Sequence, residues 1–453
     1  MARLTPLSGF PEWSPAQRIV EATAIATLRE VFALHGFAEI ETRAVEPIAR
    51  LAGESDAAKE IYALSRLRSV PSGDAEKDEA SLGLHFDLTV PFARYVEERQ
   101  GELDFPFRRY QIQKVWRGER PQDGRFREFY QADIDVVARD QLPAHAESEI
   151  AIVMARALDA LTASVGAPRA RMRFNDRRLV EGFYSGVGIG DVAAALRAVD
   201  KLPKIGADAV KRELATLGVS SQAADAVVAF AGISSDNDGL ATAARIAWDT
   251  HGAQGDEALA VFDAGLGSLV ALVAAVNAEL PGTATGDLSI ARGLDYYTGA
   301  VFETVLDGHE DLGSICSGGR YDSLVAGGGF PGVGMSIGVS RLVSRLLATG
   351  LASASRAVPS AVLVAVVDED SRGASNLVAT ALRARGIPVE VAPTAAKFGK
   401  QIQFADRRGI PFVWFPGEAG DQVKDIRSGE QDDADSASWM PPAGDLWPVV
   451  VRG

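Results

Sequence analysis

The chain has 453 residues, 47% hydrophobic and 24% charged, enough to bury a large core in two or three domains. A formal charge of −15 argues against a protein that coats nucleic acid without specificity, yet leaves room for a large folded RNA gripped by local basic patches. A single cysteine, Cys316, excludes an intramolecular disulfide framework, and the five scattered histidines show no metal-ligand spacing, so no metal site in the protein is expected.

The N-terminal MARLTPLSGF lacks the basic and apolar regions of a signal peptide, and no apolar stretch reads as approaching the ~20 residues that span a bilayer. The expectation is a cytoplasmic protein with no membrane partner. From Pro15 to His35, helix formers carry apolar residues at helical spacing, and Gly36 closes the run before GFAEIETRAVEP. A long helix leading into a strand is expected there. The polar run SVPSGDAEKDEAS, 69–81, reads as an exposed loop.

Between Phe107 and Ala138 the pattern alternates, which predicts a hairpin turned by RPQDG, where Pro121 and Gly124 suit the turn. On its return strand one set of positions is largely apolar: Phe126, Glu128, Tyr130, Ala132, Ile134 and Val136. The other set is Arg125, Arg127, Phe129, Gln131, Asp133 and Asp135. Since successive side chains of a strand point to opposite faces, one face carries charge, amide and a single ring. The incoming strand leads to Arg117 and Glu119. Such a ribbon is either solvated on its polar side or holds an anionic, planar ligand, with guanidinium groups on phosphate oxygens and the ring stacked on a base.

Residues 185–280 are rich in alanine and leucine at helical spacing and read as an inserted helical module; strand signals return at Asp287. The segment GGGFPGVGMSIGVSRLVSRLL then reads as a glycine-rich approach to a helix. Val339, Leu342, Val343 and Leu346 form that helix's apolar stripe, and Arg341 stands off it in the first turn. A helix start preceded by glycines suits phosphate, or is an ordinary turn before a packed helix. After Arg356, apolar runs alternate with helical stretches from Ser371 to Arg385 and from Lys397 to Arg408, which predicts a separate α/β domain. The acidic run EQDDADSAS reads as a surface loop, and the closing DLWPVVVRG carries no functional reading.

The segment FRRYQIQKVWRGERPQDGRFREFYQ resembles the second signature motif of class II aminoacyl-tRNA synthetases. The resemblance implies that Arg117 binds the ATP α-phosphate and Glu119 the adenine amino group. It likewise implies that Phe129 stacks on adenine, that Arg125 closes the nucleotide from the far side of the hairpin, and that Gln122 faces the acceptor end of tRNA. GMSIGVSRL is similar to the third motif, whose arginine, here Arg341, holds the γ-phosphate. The first motif, in the opening helix and strand and ending near Pro47, implies the interface of a homodimer.

Two further segments, RGLDYYTGAVFE from Arg292 and SGGRYDSL from Ser317, resemble the paired signatures of histidyl-tRNA synthetases. By that resemblance Arg292 reaches both the substrate carboxylate and the α-phosphate, and Tyr297 and Tyr321 line an imidazole pocket. Neutral imidazole presents one N–H donor and one acceptor, so a selective pocket pairs each; Asp135 and Tyr297 are the residues for this. Asp87, Thr89 and Gln131 would receive the substrate ammonium, although Asp87 before Leu-Thr-Val-Pro equally suits a helix cap. The chain departs from the common bacterial pattern here. It reads HFDLT where many members read Arg-Pro-Glu-Gly-Thr, and Gln131-Ala-Asp-Ile-Asp135 where they read Gln-x-Gly-x-Glu, so the carboxylates are kept but shortened.

The stretch KFGKQIQFADRRGIPFVWFPGE with VKDIRSGEQ resembles the anticodon-binding domain of this subgroup. Its basic residues are Lys397, Lys400, Arg407, Arg408, Lys424 and Arg427, with Lys397, Lys400 and Arg408 the expected tRNA contacts. The implied architecture is an α+β catalytic domain built on an antiparallel sheet, 1–350, interrupted by the helical insertion at 185–280. A C-terminal α/β anticodon-binding domain, 357–453, follows it. The implied reaction activates histidine with ATP, assisted by Mg²⁺, and transfers it to tRNA(His). Two rivals predict other sequences. A synthetase-like regulatory subunit of ATP phosphoribosyltransferase expects eroded motif arginines and no C-terminal domain. A class II enzyme for threonine, proline or glycine has no reason to carry RGLDYY and SGGRYD together.

Overall fold

The computed structural model describes residues 6–52, 59–65, 81–252, 255–291, 297–325 and 328–453. The polar run at 69–81 therefore lies, except for Ser81, outside the described residues. Two compact units emerge: Met1–Pro11, Ile25–Ala163 and Ala167–Ser344 form the first, and Glu12–Ala24, Ser164–Gly166 and Arg345–Gly453 the second.

In chain order, helix α1 (Pro15–Leu34) ends before Gly36, whose φ of 77° suits the residue that closes a helix, and strand β1 (Ala38–Glu39) follows. Helix α2 (Thr89–Arg99) precedes the hairpin of β2 (Phe107–Trp116) and β3 (Glu128–Val137). The hairpin closes at Gly124, φ 66°, beside a bridge between Gln122 and Arg125. Helix α3 (Ala146–Val165), strand β4 (Ala170–Asp176) and helix α4 (Arg177–Gly186) come next. Asp176 caps α4 by accepting from the Arg178 N–H.

The alanine-rich stretch forms helices α5 (Val192–Val199), α6 (Leu202–Ile205), α7 (Ala207–Thr216) and α8 (Ser221–Ala231). A two-residue strand β5 (Ser234–Ser235) precedes helices α9 (Asn237–His251) and α10 (Asp256–Glu279). Helix α10 corrects one expectation: it is long and apolar enough, by length and composition, to cross a membrane. Its apolar surface is used for packing. Phe262, Leu266, Leu269, Leu272, Val273 and Val276 are buried, and Gly265 brings it so close to α4 that a Cβ there would lie 2.1 Å from the Leu179 nitrogen.

Strand β6 (Ala284–Asp287) ends, rather than begins, at Asp287. Strands β7 (Ala300–Leu306), β8 (Cys316–Tyr321) and β9 (Gly332–Gly338) complete the first unit's large sheet, and helix α11 (Val339–Ala348) follows. The nine strands run in the order β1-β2-β3-β9-β8-β7-β4-β6-β5, and the block from β2 to β4 is antiparallel throughout. The glycine-rich approach to α11 is thus, over Gly332–Gly338, a central strand rather than a turn, and it leads directly into the helix at Val339. Its glycines clear space: a Cβ on Gly334 would lie 2.0 Å from Asp135 Oδ1, and one on Gly332 2.6 Å from the Tyr321 ring.

In the second unit, β10 (Ala352–Ala354) precedes β11 (Val362–Val364), α12 (Arg372–Ala384), β12 (Val389–Val391) and α13 (Phe398–Arg408). Then come β13 (Phe412–Phe415), β14 (Asp421–Asp425) and β15 (Gln431–Ala434), giving a five-stranded mixed sheet in the order β12-β11-β13-β14-β15. The core is dominated by Trp414, Val362, Val364 and Leu382, all buried. Two segments differ from expectation. Part of the acidic run is an edge strand, β15, paired antiparallel with β14; charge on an edge discourages further pairing. The C-terminal DLWPVVVRG contributes β16 (Val450–Arg452), which pairs with β10.

Candidate active site

One face of the large sheet forms the floor of a cleft of about 780 Å³. Cross-strand register places Arg109 opposite Asp135 and Asp135 opposite Gly334, while Asp133 lies between Gln111 and Ser336. Further along the same row Ser336 faces Ser317, and Ser317 faces Glu303. Directly opposed residues share a face, so the alternation read on β3 extends across five strands, from β2 to β7. This face is not the solvated side of a ribbon. Gln131, Asp133 and Asp135 are only 6%, 3% and 5% exposed.

At the hairpin end, Arg117, Glu119, Gln122, Arg125 and Phe129 line the cleft together. Arg117 donates from Nε to the Phe86 carbonyl at 2.9 Å and from Nη2 to Gln131 Oε1 at 3.3 Å, and its guanidinium lies 5.2 Å from the Phe129 ring centroid. Among the described residues its nearest ion-pair partner is Glu119, which stands 4.0 Å away and also lies 3.8 Å from Arg125. An arginine so placed keeps donors available to an anion beside a half-buried aromatic ring that lines the cleft. Gln122 is exposed at the hairpin turn. Arg341, in the first turn of α11, reaches the same cleft, its guanidinium donating to the carbonyls of Ser314, at 3.0 Å, and Leu312.

Asp87 and Thr89, at the start of α2, line the cleft with Gln131. Asp87 Oδ1 accepts the Val90 N–H at 3.2 Å, as a helix cap would, and the residue lines the cleft. Burial pushes its pKa up to about 6, with the Val90 N–H and the Arg117 charge pulling it back. Asp133, missed as a site residue by sequence reasoning, accepts from the Gln131 amide at 3.1 and 3.3 Å and is likewise raised by burial.

A side pocket of about 40 Å³ opens where Thr89, Tyr297, Ser317 and Ser336 border both spaces; Asp133, Asp135 and Tyr321 line it. Tyr321, 3% exposed, donates its hydroxyl to Asp135 Oδ1 at 2.9 Å. Asp135 Oδ2 lies 2.6 Å from Arg109 Nη2 in an ion pair. Burial pushes Asp135 up to about 7 while the Arg109 charge opposes it. Arg109 is fully buried and also sits 4.1 Å from the Phe92 ring. Removing either partner of such a pair strands a buried charge, at a cost of about 3–5 kcal/mol.

Arg292, with residues 293–296, lies outside the described residues. The described positions on either side of that segment are held by two residues that sequence reasoning also missed. Asn175 at the end of β4 donates to the Ile290 carbonyl at 2.8 Å, and Arg177, which opens α4, donates to the Tyr297 carbonyl at 3.2 Å. A buried asparagine next to a helix cap carries no distinctive spacing, so nothing in the sequence pointed to it.

In the second unit, Lys397 and Lys400 are exposed at the start of α13, and Arg407 is exposed near its end. Arg408 is differently placed, bonded to Glu390 Oε1 at 2.9 Å with its guanidinium 5.3 Å from the Phe404 ring. Arg427 is bound by Asp425 and Asp445.

Comparison with known proteins agrees with this arrangement. The family model described as histidyl-tRNA synthetase matches residues 9–342, and an anticodon-binding domain model matches 361–433. A histidine–tRNA ligase of Cutibacterium acnes is 54% identical over 100% of this chain and 99% of its own. One of Micrococcus luteus is 53% identical with the same coverage of both chains. Among solved structures, histidyl-tRNA synthetase from Nostoc sp. PCC 7120 superposes with a TM-score of 0.82 at 33% identity, covering 96% of this chain and 97% of that one. The fold is accordingly a class II synthetase catalytic domain with a C-terminal anticodon-binding domain, and the chain belongs to the histidyl-tRNA synthetase family.

Proposed function

We propose that this cleft joins histidine to tRNA(His) in two steps. The histidine carboxylate attacks the α-phosphorus of ATP, giving histidyl-adenylate and releasing pyrophosphate. A ribose hydroxyl at the tRNA 3′ end then attacks the histidyl carbonyl and releases AMP. The observation that carries the reading is the meeting of a guanidinium beside a cleft-lining ring, Arg117 with Phe129, and a small acidic side pocket bordered by tyrosines. No protein nucleophile takes part, so the protein's work is positioning and charge stabilisation.

Arg117 and Arg292 stabilise the charge that builds on the α-phosphate, Arg341 holds the γ-phosphate, and Phe129, Glu119 and Arg125 bind adenosine. Asp87, Thr89 and Gln131 receive the amino group, while Asp135, Tyr297 and Tyr321 surround the imidazole. Gln122 meets the acceptor end, and Lys397, Lys400 and Arg408 contact tRNA from a domain spanning 357–453, with catalysis confined to 1–350. Among the described residues no group of three or more His, Cys, Asp or Glu gathers as a metal site. Mg²⁺ would come with ATP and would supply positive charge to its outer phosphates. In this reading the chain works in the cytoplasm as a homodimer, and sedimentation at working concentration tests the dimer.

The regulatory-subunit rival expects motif arginines to be lost, whereas Arg117 and Arg341 both line the cleft. Arg117→Ala and Arg292→Ala should each fold normally and lose histidine-dependent ATP–pyrophosphate exchange by about 10²–10³-fold, as removal of a charge-stabilising donor does elsewhere. Near-normal exchange in either variant rejects that residue's role.

A further inference from the structure

The side pocket holds two carboxylates, and they differ in what already binds them. Asp135 has a partner on each oxygen, Arg109 at 2.6 Å and the Tyr321 hydroxyl at 2.9 Å. Arg109 has no solvent exposure and is backed by Phe92, so it is a fixed counter-ion behind the pocket. Among the described residues Asp133 accepts from neutral donors, the Gln131 amide and the Ser336 hydroxyl. Among the described residues no cation stands within 4 Å of it; Arg109 and Arg117 act on it only from farther away.

An ionised carboxylate accepts about four hydrogen bonds, and a buried one without a cation is costly until a donor arrives. Asp133 thus has acceptor capacity left, on the pocket's own wall. The Tyr321 proton is committed to Asp135, so this hydroxyl presents its oxygen and cannot also donate to a ligand. Asp135, paired with Arg109, is the less reactive of the two walls.

We propose that Asp133 is a histidine-binding residue that receives the imidazole N–H, and that Arg109 is a positioning residue that leaves it this role by neutralising Asp135 from behind. The second ring nitrogen accepts from one of the hydroxyls that line the same pocket, those of Thr89, Tyr297 and Ser317. The assignment rests on the ligase reading and adds to it the residue that distinguishes histidine from amino acids without a ring N–H.

The test is histidine-dependent ATP–pyrophosphate exchange by the full chain, with thermal melting as the control for folding. Asp133→Asn should raise the KM for histidine about 10- to 100-fold, with the KM for ATP changed less than threefold. Arg109→Lys, which keeps the charge, should retain a lower KM for histidine than Arg109→Gln. The unmodified chain supplies an independent arm: of the two ring-methylated histidines, the one whose methyl blocks the N–H facing Asp133 should compete at least tenfold more weakly than histidine. A normal histidine KM in folded Asp133→Asn, or equal competition by histidine and both methylated forms, overturns the inference while leaving the ligase reading intact. Absence of exchange in the unmodified chain overturns the ligase reading itself.

Discussion

Asp87 caps α2 and faces the cleft at once, and its titration follows from that double placement. Its ordinary value is 3.8, and burial raises it to about 6 in the folded chain. The folded state therefore holds this proton more tightly, so the group's contribution to stability is full below pH 3.8 and is lost as pH rises through about 6. Asp87→Asn has no such proton to lose. Relative to the parent, its melting temperature should shift upward by roughly 1–4 °C between pH 5 and pH 8. A difference that stays constant with pH, or moves the other way, contradicts the burial described for this carboxyl.

At this scale the shared face of Gln131, Asp133 and Asp135 was legible because alternation alone puts them on one side of β3, although Asp133 was not singled out as a site residue. Which of them is already neutralised was not legible. Arg109 sits in FRRYQIQKVW as one cation among several, and only the register between β2 and β3 sets it against Asp135. Asn175 and Arg177 were invisible for a similar reason: their partners are backbone carbonyls more than a hundred positions away.

The hairpin and most helices could be read from periodicity, whereas the glycine-rich segment before Val339 could not be placed correctly. Glycine signals conformational freedom, but here its use is the missing Cβ: β9 is an ordinary central strand whose glycines make room for Asp135 and Tyr321. The same property governs α10, whose apolar composition passes for a membrane span while its glycine admits α4. Helix propensity favours alanine over glycine by about 0.8–1.0 kcal/mol. The 2.1 Å approach of a Cβ on Gly265 to the Leu179 nitrogen opposes this, and overpacking of this kind costs about 1–3 kcal/mol. Gly265→Ala should consequently lower the midpoint of urea unfolding, and a variant more stable than the parent would show that the helices separate without cost. The strand β15 was misread because its acidic residues are poor strand formers in general, although an edge position tolerates them.

Across the whole molecule, a charge of −15 is set against a polyanionic partner. The proposal resolves this by confining attraction to local sites, among them the exposed Lys397 and Lys400 of α13, while Arg408 is largely occupied by Glu390. Replacing both lysines by glutamate should raise the KM for tRNA about tenfold or more at moderate salt and leave pyrophosphate exchange within twofold of the parent. Equal loss in both assays would place these lysines in the fold rather than at the RNA. Length and composition announced more than one domain, and the reset after Arg356 marked where the second sheet begins. The pairing of the last strand with β10 needed the structure, since a short apolar tail has no partner written beside it.

The most direct test of the account is ATP–pyrophosphate exchange by the intact chain with each of the twenty amino acids, followed by charging of total tRNA. The account predicts exchange with histidine above all others and acylation of tRNA(His) alone. Exchange driven by threonine, proline or glycine, or no exchange with histidine, would contradict it.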